Sequence, residues 1–105
     1  MLYREYLILF HILEYCFQKG VYDDLPALLG EMSPYLFSDS MPADLMVYED
    51  WKARSQALQT PFEWKYAIIS LLESYEKEYH FCFEDAKEIL NELSEAEIRA
   101  FTDAP

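Results

Sequence analysis

The sequence predicts an all-α fold, a compact bundle of four to five helices forming a single domain over residues 1–105. Three observations carry that expectation. Apolar residues recur at intervals of three and four through every strong segment, no stretch keeps the strict alternation of a half-buried strand, and several segments open on capping signals. A chain of 105 residues with 52% apolar and 17% aromatic side chains can bury a core of its own. Only the last few residues read as loose.

The first helix runs from Leu2 to Gln18. Leu2, Tyr6, Leu9, Leu13 and Cys16 form its apolar stripe, widened by Tyr3, Phe10 and Phe17, while Arg4, His11, Glu14 and Gln18 line the other side. Gly20 tolerates the left-handed backbone common just past a helix end, so the helix stops there. Asp23 or Asp24 then caps a short helix with Pro26 in its first turn, Leu25, Leu28, Leu29 and Met32 on its apolar edge, and Gly30 as its closing residue.

Residues 33–41 read as a loop whose aromatics, Tyr35 and Phe37, tuck against the core. Pro42 opens a third helix carrying Leu45, Met46, Tyr48 and Trp51, which fades near Gln59. Thr60-Pro61-Phe62-Glu63 is the clearest start in the chain: a capping hydroxyl, a proline at the first helical position, and a glutamate three residues after the cap. Trp64, Ile68, Leu71, Leu72, Tyr75 and Tyr79 extend that long helix. It and the first helix are expected at the centre of the bundle. Phe83, Ala86, Ile89, Leu90 and Leu93 mark a further helix, and Ser94-Glu95-Ala96-Glu97 repeats the capping-box pattern before Ile98 and Phe101.

Val21-Tyr22 and residues 80–83 are the only segments with extended character. The two halves resemble one another weakly. Ile12-Leu13-Glu14 parallels Leu71-Leu72-Glu73, and Asp23-Asp24-Leu25 with Leu28-Leu29 parallels Glu84-Asp85-Ala86 with Ile89-Leu90. Either two related helix pairs or the general sameness of amphipathic helices accounts for this.

Twenty Asp and Glu stand against eight Lys and Arg, a formal charge of −12 that repels phosphate backbones and disfavours nucleic-acid binding. The same field speeds encounter with a basic protein, or it serves solubility alone. Cys16 and Cys82 sit among apolar neighbours and read as reduced core thiols. The apolar run from Leu7 is too short for a membrane span and has no signal-peptide cleavage pattern, so a cytoplasmic location is expected.

His11 and His80 lack zinc-site spacing, no glycine-rich phosphate loop occurs, and neither cysteine has an activating neighbour. Carboxylate pairs such as Asp23-Asp24, Glu49-Asp50 and Glu84-Asp85 are sequence neighbours that point about 100° apart on a helix, which is wrong for an acid–base dyad. Neither an enzyme nor a cofactor or metal is expected.

Asp23-Asp24-Leu25-Pro26-Ala27-Leu28-Leu29-Gly30-Glu31-Met32, followed by Pro42-Ala43-Asp44 and Glu49-Asp50-Trp51, resembles a family of small bacterial immunity proteins of polymorphic-toxin and contact-dependent growth inhibition systems. The likeness covers about residues 6 to 75 and lapses between Pro34 and Met41. It implies that the chain binds a cognate toxin domain inside the producing cell and blocks it. With the charge of −12, the expected toxin is basic and of nuclease type, its substrate surface occluded by acidic groups.

The partner-binding residues expected on this reading are Asp39, Asp44, Tyr48, Glu49 and Asp50 around the third helix, with the acids Glu73 and Glu76 of the long helix as the next group. The motif residues also have structural roles open to them, because Asp23 and Asp24 can cap and Trp51 can pack. An acidic helical adaptor or regulatory subunit for another cytoplasmic protein is the alternative, and an enzyme with an unrecognised carboxylate site a distant third.

Overall fold

Helical spacing and capping translate into six α-helices among the described residues: α1 Arg4–Gln18, α2 Leu25–Met32, α3 Met46–Arg54, α4 Pro61–Tyr79, α5 Glu84–Glu92 and α6 Glu95–Thr102. The computed structural model describes residues 3–35, 39, 41, 42 and 44–103. Leu2 of the first apolar stripe, Phe37 of the loop, Ala43 of the Pro-Ala-Asp motif and the last two residues lie outside the described residues. The count exceeds the four to five helices expected, because the short segments α2 and α6 each close eight residues of regular helix. No strand occurs among the described residues, and the segments with extended character are plain connections.

α1 is the central element and packs against α2, α3, α5 and α6. Its buried face is broader than a simple stripe: Tyr6, Ile8, Leu9, Phe10, Ile12, Leu13 and Cys16 are all buried, while Phe17 at the wide end stays largely exposed. Neighbours on several sides explain why Ile8 and Ile12, off the main stripe, are covered as well. Each fully buried large apolar side chain contributes on the order of 1.5–3 kcal/mol. Tyr6 keeps its hydroxyl satisfied in the core by donating to the Met32 carbonyl at 2.8 Å.

α4 packs on α5 and α6, and buries Trp64, Ile68, Leu71, Leu72 and Tyr75. Trp64 meets Trp51 of α3 with ring centroids 5.6 Å apart. The Trp51 indole is fully buried, and its N–H donates to the Glu5 carbonyl at 2.9 Å, so one side chain ties α3 to α1 and α4. The radius of gyration is 12.8 Å, close to the value of about 13 Å for one compact domain of this length.

The helix starts follow their chemistry, with exceptions. Thr60 Oγ1 accepts the Glu63 N–H at 3.1 Å, and Ser94 with Glu97 completes the reciprocal capping box. Gly20, at φ 96, ends α1 as expected. Gly30, by contrast, does not close α2 but lies inside it, and the helix runs on to Met32, whose buried side chain anchors its last turn.

Pro42 does not open α3 either. It is buried in the lead-in, the next described amide, Asp44 N–H, bonds back to the Glu31 carbonyl at 3.3 Å, and the helix begins at Met46, where Asp44 Oδ1 accepts the first N–H at 2.9 Å. It ends at Arg54, short of Gln59, where Ser55 is itself buried. Val47, absent from the expected apolar positions, is fully buried, and Leu45 is exposed. Cys16 is a buried free thiol as read, whereas Cys82 is a free but exposed one, because Phe81 and Phe83 turn toward the core and leave the residue between them outside.

α5 has no side-chain cap of its own at Phe83. Asp23, on the other side of the chain, supplies it: Oδ1 accepts the Leu25 N–H at the start of α2 at 2.9 Å, and Oδ2 accepts the Ala86 N–H in the first turn of α5 at 3.0 Å. Asp85 returns the contact by accepting the Tyr22 N–H at 2.7 Å. The α1–α2 and α4–α5 corners are thus clasped by carboxylates that each serve the opposite backbone.

Candidate partner-binding face

The expected site residues fall into two groups, one on α3 and the segment before it and one on α4. In the first, Asp39 Oδ1 accepts the Met41 N–H at 3.0 Å and Asp44 accepts the Met46 N–H, so both carboxylates shape the lead-in to α3. Tyr48 is half-buried, its ring edge-on to Tyr3 and Tyr6 at centroid distances of 5.1 and 5.3 Å, and its carbonyl accepts the Tyr3 hydroxyl at 3.3 Å. Burial pushes the Tyr3 phenol up to about 12.

Asp50 is exposed but accepts the hydroxyl of Tyr75 at 2.8 Å. Burial first, then that hydrogen bond and the Asp50 charge, hold the Tyr75 phenol well above its ordinary value. Glu49 is exposed, and its carboxylate makes no hydrogen bond or ion pair among the described residues. Of the α3 group it alone presents a fully available charge.

The second group turns to α5. Lys87 lies 2.6 Å from Glu76 and 3.6 Å from Glu73. Glu73 is 59% exposed, as expected of a surface acid, but Glu76 is only 22% exposed and also accepts the Phe83 N–H at 2.8 Å, so it is a structural carboxylate and not the open one anticipated. Burial works to raise its pKa, and the Lys87 and Phe83 hydrogen bonds overcome that and leave it below the ordinary glutamate value. The role of Lys87 had no sequence signal, since its partners lie 11 and 14 positions away across a turn.

Other groups with chemical potential are also engaged or dispersed. His11 Nδ1 lies 3.5 Å from Glu14, and its Nε2 lies 3.4 Å from the Tyr35 hydroxyl. His80 occupies a left-handed position ending α4. Among the described residues no group of three or more His, Cys, Asp or Glu side chains is placed to hold a metal ion, and no helix is long and apolar enough to cross a membrane. Comparisons with protein-family models, with curated proteins and with solved structures each return no match.

Proposed function

We propose that this chain is an immunity protein that binds a basic toxin domain of nuclease type and occludes it. The observation that carries the reading is the net charge of −12 on a helical domain whose α3 face offers Glu49 uncommitted beside Asp50 and the half-buried Tyr48. A carboxylate without an internal partner is free to be desolvated against a cation, and a neighbouring aromatic supplies rigid contact area. Binding alone performs this function, so it needs no cofactor and no reacting group.

The test is protection. Cells producing the toxin domain encoded next to this chain's gene should grow only when the chain is coproduced, and the purified pair should associate more slowly as salt rises while dissociation changes little. Glu49→Lys should weaken the complex by about tenfold, about 1.4 kcal/mol. A neighbouring sequence that specifies no toxin, or a toxin that kills regardless, removes the immunity reading.

A second reading, an acidic helical adaptor for another protein, has its own observation. Phe62 and Tyr66 on the outer side of α4 are 56% and 54% exposed with ring centroids 4.6 Å apart, an aromatic pair left open to a partner. Stable copurification with a protein that is not a toxin would favour it.

A further inference from the structure

We propose that the cleft between the end of α1 and the outer face of α5 is a docking groove for an arginine-bearing segment of a protein partner. Two adjoining hollows of about 370 and 180 Å³ share Gly20, Ile89 and Glu92. The larger is walled by Tyr15 and the smaller opens on Tyr22. The floor is apolar at Ile89, and Gly20 adds no side chain: a Cβ there would meet nothing within 4 Å.

Tyr22 is 99% exposed, so its ring touches almost nothing, yet its backbone N–H is pinned by Asp85 at 2.7 Å. An aromatic side chain held out at a fixed point on the rim contributes nothing to the fold and offers a stacking platform. Along the other rim, Glu88 and Glu92 stand one helical turn apart, exposed, and neither makes a hydrogen bond or ion pair among the described residues. Like charges at that spacing work against the helix.

An aromatic plane, an apolar floor and two uncommitted carboxylates match one side chain better than any other. A guanidinium stacks on an aromatic face and donates a planar fork to carboxylates, while its methylene stem covers apolar surface. Lys19 already covers the Tyr15 ring, 5.1 Å from its centroid, so the open aromatic face is that of Tyr22. The groove is a second surface beyond the α3 face of the proposed toxin contact, and the inference relies on the immunity reading only for who the partner is.

The test uses capped hexa-arginine and hexa-lysine peptides with the purified chain at low salt. The arginine peptide should bind about three- to fivefold more tightly than the lysine peptide, and Tyr22→Ala should erase that preference. Glu88→Gln with Glu92→Gln should weaken arginine binding about five- to tenfold, whereas Glu31→Gln with Glu78→Gln, which removes the same charge from two exposed positions outside the groove, should weaken it less than twofold.

In the unaltered protein, the amide resonances of Tyr22, Ile89 and Glu92 should be the first to move on titration, a measurement independent of any variant's folding. Equal losses from the two charge-matched variants, or first movement at α3, overturn the groove. Protection from the toxin is a separate measurement, so either idea can fail while the other stands.

Discussion

Asp24 and Cys82, 58 positions apart, are joined by two reciprocal hydrogen bonds: the Asp24 N–H donates to the Cys82 carbonyl at 2.9 Å, and the Cys82 N–H donates to Asp24 Oδ2 at 2.7 Å. With Asp23 reaching Ala86 and Asp85 reaching Tyr22, these bonds lock the two helical corners together. Asp24→Ala should therefore cost about 1–2 kcal/mol, the range for losing a charge-assisted bond and leaving an amide donor less well satisfied. Asp24→Asn, which keeps an acceptor oxygen, should cost less. Urea denaturation of the three proteins measures this, and equal midpoints would show that the clasp holds nothing.

The two thiols differ in exposure. Burial, with the Asp23 charge adding to it, pushes the Cys16 thiol up to about 12, so it is both hidden and protonated at neutral pH. Cys82 is exposed. Iodoacetamide should modify Cys82 in the native protein and reach Cys16 only after unfolding, as mass spectrometry of the two peptides will show. Because both thiols are free, a reducing agent should leave the melting temperature unchanged.

Glu76 gives the acid limb of stability a predictable part. Its folded value lies below the ordinary one, so its contribution is fully present above that ordinary value and is lost as pH falls through the folded value. Its partner Lys87 is held above the ordinary lysine value, chiefly by the Glu76 hydrogen bond, so the basic side of the pair is lost only as pH rises through that higher value. Glu76→Gln should be less stable than the parent by about 1–2 kcal/mol at neutral pH. The deficit should shrink once pH drops below about 4. A deficit that is the same at pH 3 and pH 7 would contradict the charged role.

His80 ends α4 at φ 61, a left-handed position where a side chain other than glycine is strained by about 1 kcal/mol or more. Gly20 fills the matching position after α1 at φ 96 without that strain. His80→Gly should raise stability by roughly 0.5–1 kcal/mol, the relief being partly offset by the greater freedom of the unfolded chain. A thermal melt in which the variant unfolds at a lower temperature would show that the imidazole makes a compensating contact.

Local chemistry was enough to read the helical class and the starts of α4 and α6, though not the bounds of α3 or the end of α2. The interval of three and four through Trp64, Ile68, Leu71, Leu72 and Tyr75, with the Thr60 and Ser94 caps, located α4 and α6 because periodicity and capping act within one turn of backbone. The excess of acid over base was legible for the same reason, since charge needs no fold to be counted.

What each acid does was decided only by tertiary structure. Asp23, Asp24 and Asp85 look like ordinary helix-start residues until two corners meet, Asp50 looks free until Tyr75 arrives from α4, and Glu76 looks exposed until Lys87 and the Phe83 amide close on it. Most of these partners lie 25 to 63 positions away, and even the nearest, from Glu76 to Phe83 and Lys87, span 7 and 11 positions across a helix end. A hydrogen bond across such a gap leaves no periodic trace along the chain. Gly30 and Cys82 show the same limit from the apolar side, because whether a small residue ends a helix, or a thiol is covered, depends on which neighbouring helix is packed there to cover it.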